Sequence, residues 1–441
     1  MSTSPPTLNR RILALAVPAL GSLIAEPIFL ITDSAMVGHL GLEPLAGLGI
    51  GGAVIQTVVG LMVFLAYSTT PAVARRVGAN DLPGAVTAGI NGMWLALALG
   101  AVLAVAGVLA SPLAVAAFGP TDVVAAHATT YLSISMWGLP AMLIVFAATG
   151  LLRGLQNTVT PLWIAVVGFA ANAALNALFI YGFGWGIAGS AMGTVIAQWG
   201  MVAVYAVIIA RLARAHGAVV APQRDGIRHT ARSGGWLFLR TVSLRVALLL
   251  TVGVATALGT HELAGWQVVF TIATTAAFAL DALAVAAQAL IGKALGEGDR
   301  GQVRDVLRRT LSWGAWFGAI CGAAIAAASG VIGLLFTGDP ELARLLVPSL
   351  IIAGLTQVIA GPVFVLDGVL MGANDARYLA IAGGINLIPY VPFLALLGWL
   401  APSGSWGLAA LAAGYFVVFT GARFVTLARR VRGEAWLDQP A

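Results

Sequence analysis

The sequence predicts an all-α integral membrane protein with twelve transmembrane helices arranged as two six-helix lobes. Three observations lead there. Of the 441 residues, 60% are hydrophobic and 9% are charged, where a soluble domain carries about 25% charged residues. Apolar stretches of about 20 residues or more, long enough to cross the hydrocarbon core, recur along the whole chain. Short motifs also repeat at a fixed spacing of 218 residues, which divides the chain into two related halves.

The spans follow in order. The first, 12–37, is a long apolar run preceded by Asn9-Arg10-Arg11; it continues too far for a cleavable signal peptide and reads as an uncleaved first helix. The second, 45–74, stops at Arg75-Arg76, and Gly78-Ala-Asn-Asp81 punctuates it from the third, 84–110. Ser111-Pro112 and Gly119-Pro120 separate that from the fourth, 123–151. The fifth and sixth are 159–181 and 187–211, and the seventh, 232–258, follows an arginine-rich segment. The eighth, 264–294, and ninth, 306–336, precede a turn signal at Gly338-Asp-Pro340. The tenth and eleventh, 343–371 and 377–400, are followed by Ala401-Pro-Ser-Gly404 and the last span, 406–428. The polar tail from Arg432 carries no lipidation motif.

Charge placement sets the expected orientation. With a cytoplasmic N-terminus, 20 of the 23 Lys and Arg fall in or beside inner segments; Arg344 falls outside, and Arg240 and Arg245 lie within a span. That alternation puts both termini in the cytoplasm. The net charge of +6 therefore reads as topology and not as nucleic-acid binding. The 54 glycines favour close helix–helix contact. The single Cys321 excludes an internal disulfide and reads as a small hydrophobe.

The repeat is specific in combination. Leu40-Gly41-x-x-x-Leu45-Ala46-Gly47 returns as Leu258-Gly259-x-x-x-Leu263-Ala264-Gly265, Gly78-x-x-Asp81 as Gly296-x-x-Asp299, and Gly150-x-Leu152-x-Gly154 as Gly368-x-Leu370-x-Gly372. Trp185-Gly186-x-Ala188 matches Trp406-Gly407-x-Ala409 at 221, which suggests a three-residue insertion. Six helices per half give both halves the same orientation, an arrangement found in secondary transporters. The expected organisation is an N-terminal lobe over 1–211, a cytoplasmic loop over 212–231 and a C-terminal lobe over 232–441.

Charges inside spans are expensive, about 2.5–3.5 kcal/mol on insertion scales, so they mark aqueous cavities or bundle interiors. Glu26 and Asp33 lie seven residues apart in the first span and share a helix face, with Pro27 between them. Acid, bend and acid on one face outline a site that handles protons or cations; the other reading is a pair of structural hydrogen-bonding acids. Asn172 and Asn176 present two amides on one face of the fifth span. Together with Asn157, just past the fourth span, they are expected to form a polar pocket with Asp33. In the second half Arg240, Arg245, Asp281 and Asp367 lie within spans at similar depth and are expected to form ion pairs. Asp33 maps by the repeat onto Thr251 and Glu26 onto Leu244, so the two halves differ chemically.

Several motifs are absent. There is no phosphate-binding Gly-x-x-x-x-Gly-Lys-Ser/Thr, no Gly-x-Ser-x-Gly elbow, and no His-Glu-x-x-His or paired-Cys metal spacing. The chain reads as a non-enzyme with no cofactor and no bound metal. A major-facilitator arrangement, also two six-helix halves, lacks its Asp-Arg-x-Gly-Arg signature in the 75–84 loop.

Thr32-Asp33-Ser-Ala-Met-Val-Gly-His-Leu-Gly41 resembles the first-helix motif of the multidrug and toxin extrusion (MATE) transporters. Arg75-Arg-Val-Gly-Ala-Asn-Asp81, Leu151-Leu-Arg-Gly-Leu-Gln-Asn-Thr158 with Pro161, and the Asn172/Asn176 pair resemble the same family. Leu239-Arg240-Thr241, Leu280-Asp281 through Gly292, and Leu366-Asp367 through Gly372 resemble its DinF-like branch. The resemblance covers all twelve spans. It implies the MATE/MOP-type fold and export of small amphipathic or cationic compounds in exchange for H⁺, with Na⁺ as the other coupling ion. It implies further that Asp33 is the proton-linked acid. Where some members carry an acid, this chain has Asn176, which disfavours Na⁺ coordination. The expectation is a monomeric H⁺-coupled exporter in the inner (plasma) membrane; a lipid-linked precursor flippase of the same superfamily is the leading alternative, and an intramembrane enzyme a distant third.

Overall fold

The computed structural model describes residues 7–336, 340–402 and 404–439; the turn signal at Gly338-Asp339 and Ser403 lie outside them. Among the described residues twelve helices are long and apolar enough to cross a membrane, and none of those residues is strand. They are α1 (Leu8–Gly38), α2 (Leu42–Gly78), α3 (Leu82–Ala116), α4 (Asp122–Gly154), α5 (Val159–Gly182), α6 (Gly186–His216), α7 (Arg224–Leu258), α8 (Thr260–Gly296), α9 (Arg300–Phe336), α10 (Pro340–Gly372), α11 (Ala376–Leu400) and α12 (Gly404–Arg432). Each expected span lies within one of them. The helices run past the apolar stretches by up to eight residues, as at Arg224, where the helix continues through Gly226 without a proline to stop it.

Interruptions have local causes. In α4 a single tighter turn at Met136–Gly138 precedes Pro140, whose ring removes a backbone donor. Wider turns occur at Leu178–Gly182 in α5 and Ala413–Phe419 in α12. By contrast α1 stays helical through both Pro18 and Pro27; Ser22 and Thr32 donate their hydroxyls to the carbonyls of Pro18 and Ile28, one turn back.

The chain divides into two units. The first holds Val17–Gly234, and the second holds Met1–Ala16 with Gly235–Ala441. Both boundaries fall inside helices, in α1 and in α7. The segment expected as a loop, 212–231, holds the end of α6 and the first turns of α7, leaving only 217–223 as a non-helical connection. That connection is tied to α3: Val219 and Gln223 donate backbone N–H groups to Thr87 and Asn91, and Trp94 donates to the Val220 carbonyl.

In the first unit one cluster gathers Val73, Ile164, Met201 and Tyr205, and another Val37, Leu48, Ile180 and Ile187. The second unit packs Leu346, Leu350 and Leu408 around Trp266, Tyr390 and Phe419. There the tail also docks: Trp436 is buried, and Glu434 and Asp438 pair with Arg304 and Arg300 on α9.

The repeat is present in the backbone. Gln156 and Asn374, 218 residues apart, both have positive φ at the turn after α4 and after α10, as do Gly41 and Gly259 after α1 and α7. Gly150 lies so close to the Ala66 carbonyl that a Cβ would meet it at 2.8 Å, and Gly368 stands likewise against Ala284 at 2.4 Å. Partner and glycine both move by 218. The same spacing separates the starts of α6 and α12, at Gly186 and Gly404. The Trp185/Trp406 match at 221 is therefore not the structural equivalence, and no insertion lies in this connection.

Candidate functional site

The first unit assembles a buried polar run around Asp33. Asp33 sits in the last third of α1 and is 4% exposed. Its Oδ1 accepts from Asn176 Nδ2 at 2.8 Å and from Ser190 Oγ at 2.6 Å. Asn176 also donates to Asn172 Oδ1 at 3.2 Å, and Asn172 donates to Thr194 Oγ1 at 2.9 Å. All four partners are buried. The acid is thus held by neutral donors only, two on α5 and α6 directly and two more behind them.

Small residues make this approach feasible. A Cβ on Gly189 would meet the Phe179 backbone at 2.8 Å, and one on Gly193 would meet Asn176 Oδ1 at 2.1 Å. The Gly189-x-x-x-Gly193 face of α6 therefore lies against α5 with no room for a side chain. Ser190 and Thr194, each one position further along, reach Asp33 and Asn172 from the same helix.

Beside the run lies a cavity of about 80 Å³, enough for a few water molecules. Glu26, Gln56, Ser135, Asn172, Thr194 and Gln198 supply its polar lining, and Phe29 and Phe169, stacked at 5.0 Å, part of its apolar lining. Asn172 and Thr194 belong to both the cavity and the run, so Glu26 and the Asp33 run border one small, largely apolar cavity.

Of the expected pocket residues, Asp33, Asn172 and Asn176 come together and Glu26 borders the cavity beside them. Asn157 does not join them. Its Oδ1 accepts from Thr160 N at 3.0 Å and its Nδ2 donates to the Thr160 hydroxyl at 2.8 Å, so it caps the start of α5, the usual work of an Asn just before a helix. Ser190, Thr194 and Gln56 went unread in the sequence. A readable signal was the i, i+4, i+8 stripe of Ser190, Thr194 and Gln198 beside two glycines spaced by four.

In the second unit Arg240 on α7 pairs with Asp367 on α10, and Asp367 also accepts from Arg423 on α12 at 2.9 Å. Arg423, one of the 20 charges counted with the inner segments, has a side chain only 13% exposed. Asp281 is half-buried on α8. Arg245 departs from expectation: it is exposed, and among the described residues it makes no hydrogen bond or ion pair. Five residues from Arg240, it points about 140° away around the helix, at ~100° per residue.

The MatE family model matches residues 18–178 and 237–396. Among curated relatives, the chloroplastic protein DETOXIFICATION 44 of Arabidopsis thaliana is 30% identical, with 96% of this chain and 82% of that protein covered. The DNA damage-inducible protein F of Escherichia coli is 26% identical, covering 94% and 91%. Among solved structures, a MATE transporter of Vibrio cholerae superposes with TM-score 0.87 at 20% identity over 98% of both chains. A MOP superfamily transporter from Pyrococcus furiosus gives 0.85 at 21% identity over 98% and 97%.

Proposed function

The chain belongs to the MatE family of multidrug and toxin efflux transporters, and from that premise we propose that it is an H⁺-coupled antiporter of small amphipathic organic compounds, with Asp33 as its coupling acid. It is a multi-pass membrane protein and a transporter, not an enzyme. The observation that carries the proposal is the company Asp33 keeps: a buried carboxylate whose hydrogen-bond partners are the neutral Asn176 and Ser190. A buried carboxylate with no cation beside it is costly and escapes the cost by taking up a proton. That is the property a proton carrier needs.

Asn176 donates its amide to Asp33 while its Oδ1 is buried with no hydrogen-bond partner among the described residues. H⁺ is therefore proposed over Na⁺ on the resemblance to the DinF-like branch and not on a lack of oxygen ligands. The cavity that Glu26, Asn172 and Thr194 border has room for the water with which Asp33 is proposed to exchange its proton. In the proposed cycle protonation of Asp33 releases its hold on Asn176 and Ser190, the packing of α1 on α5 and α6 changes, and substrate leaves by alternating access. The proposed setting is the plasma membrane, with both termini in the cytoplasm and the monomer as the working unit.

The test uses proteoliposomes loaded with ethidium under an imposed pH gradient. Ethidium efflux that follows the gradient in the natural protein, with counterflow of H⁺, and that vanishes in Asp33→Asn at equal protein level is the expected result. Equal, gradient-independent activity in both would reduce Asp33 to a structural acid and move the lipid-flippase reading forward.

A further inference from the structure

Arg245 is a guanidinium that the second unit leaves unanswered. Six of the ten residues over 224–233 of α7 are charged residues, His or Thr (Arg224, Asp225, Arg228, His229, Thr230, Arg232), its long apolar stretch is 236–258, and Arg245 stands near the middle of it. It lies about 20 Å along the helix from the Leu258 end, at ~1.5 Å per residue. Snorkelling to a headgroup region serves an arginine near a helix end, not one at this depth. A charge here faces water or a partner, and among the described residues none accepts from it.

The surroundings add to its positive field. Tyr415 on α12 lies within electrostatic reach of both Arg245 and Arg423. Arg423 and Arg240 both pair with Asp367, and among the described residues none of that carboxylate pairs with Arg245. Apolar surface lies next to the free guanidinium: Leu249, one turn further and on the same face, is 68% exposed, and Val246 is 37% exposed. An exposed cation beside exposed leucine and valine matches an organic anion with an apolar body. Guanidinium, planar and weakly hydrated, takes a carboxylate through two parallel hydrogen bonds.

We infer that Arg245 forms an anion subsite of the second unit, which binds amphipathic carboxylates through the guanidinium and their apolar body on Leu249 and Val246. The exported compounds then include anionic or zwitterionic carboxylates and not cations alone. This bears on substrate class and rests on the exporter reading only for its biological use. Binding at equilibrium needs neither a gradient nor Asp33, so Asp33→Asn retains it even where antiport fails.

The experiment is equilibrium dialysis of labelled 1-naphthaleneacetate and of its neutral analogue 1-naphthaleneacetamide. The full chain is held in phosphatidylcholine nanodiscs at neutral pH. The natural protein is expected to bind the carboxylate at least tenfold more tightly than the amide. Arg245→Gln is expected to erase that preference, and Arg245→Lys, which keeps the charge but loses the fork, to retain a reduced one. A thermal midpoint for Arg245→Gln at or above the natural value shows that the loss is not unfolding; should Arg245→Gln unfold, the reduced preference of Arg245→Lys decides. Absence of any preference in the natural protein, or a preference that survives Arg245→Gln, overturns the inference. Nanodiscs with added phosphatidylglycerol separate the other source of an anion. If that lipid abolishes naphthaleneacetate binding, the site belongs to a lipid headgroup and the carboxylate assignment fails.

Discussion

At positions 218 residues apart the two units share a backbone and differ in chemistry. The first places Asp33 opposite Asn172 and Asn176; the second places Thr251 opposite Tyr390 and Leu394. Thr251 and Tyr390 bond hydroxyl to hydroxyl, both fully buried, and Tyr390 packs on Phe419 at 5.1 Å inside an aromatic cluster with Tyr415. One unit thus keeps an ionisable acid in a polar run beside a small cavity, while the other fills the same place with rings. Its charges stand elsewhere, on Asp367 between two arginines. The glycine contacts at Gly150 and Gly368 show what the repeat preserves, which is helix packing. Site chemistry was free to diverge because only a few side chains carry it.

The comparison can be broken by treating the two aspartates alike. Asp33→Asn replaces a protonatable acid by a permanently neutral amide whose oxygen can still accept from Asn176 and Ser190, and is expected to cost little stability. Asp367→Asn strips Arg240 and Arg423 of their shared carboxylate, and breaking a buried pair this way costs about 3–5 kcal/mol. A denaturation midpoint for Asp367→Asn close to the natural one would show that the second-unit cluster is not a buried pair at all. Next in size is Gly193→Ala, whose Cβ must displace Asn176 Oδ1 from 2.1 Å. Overpacking of this kind costs about 1–3 kcal/mol, and gradient-driven ethidium efflux is expected to fall with it, since Asn176 can no longer hold Asp33. Unchanged efflux would remove the amide from the coupling site. The smallest effect belongs to Tyr390→Phe, which loses one buried hydroxyl pair, about 0.5–1.5 kcal/mol. Its efflux and proton counterflow are expected to match the natural protein; a loss of coupling there would give the second unit a part that its chemistry does not suggest.

Much of this was legible beforehand, and for physical reasons. Membrane spans announce themselves by length and apolarity, and the repeat by glycines whose contacts tolerate no side chain. An acid inside an apolar run is conspicuous, which is how Asp33 and Glu26 stood out, and two amides four residues apart gave Asn172 and Asn176. Ser190, Thr194 and Gln56 do not stand out one by one, because hydroxyls and amides are common in such helices; only the four-residue stripe of Ser190, Thr194 and Gln198 beside Gly189 and Gly193 marks the first two. Asn157 was misread as a pocket residue because the helix start it caps, two residues on, was not weighed. Arg423 counts with the inner-segment charges alongside Arg429, Arg430 and Arg432, and α12 buries it against Asp367. The pairing of Arg240 with Asp367 was anticipated from their depth, whereas the turn of Arg245 away from them depended on helical phase.

The central claim is that the exchangeable proton resides on Asp33 in the first unit. It is tested most directly by proton release from purified, detergent-solubilised protein on addition of ethidium, followed with a pH indicator in weakly buffered solution. The account predicts release from the natural protein and from Tyr390→Phe, and none from Asp33→Asn at equal ethidium binding. Release of the same size from Asp33→Asn would place the proton elsewhere and contradict it.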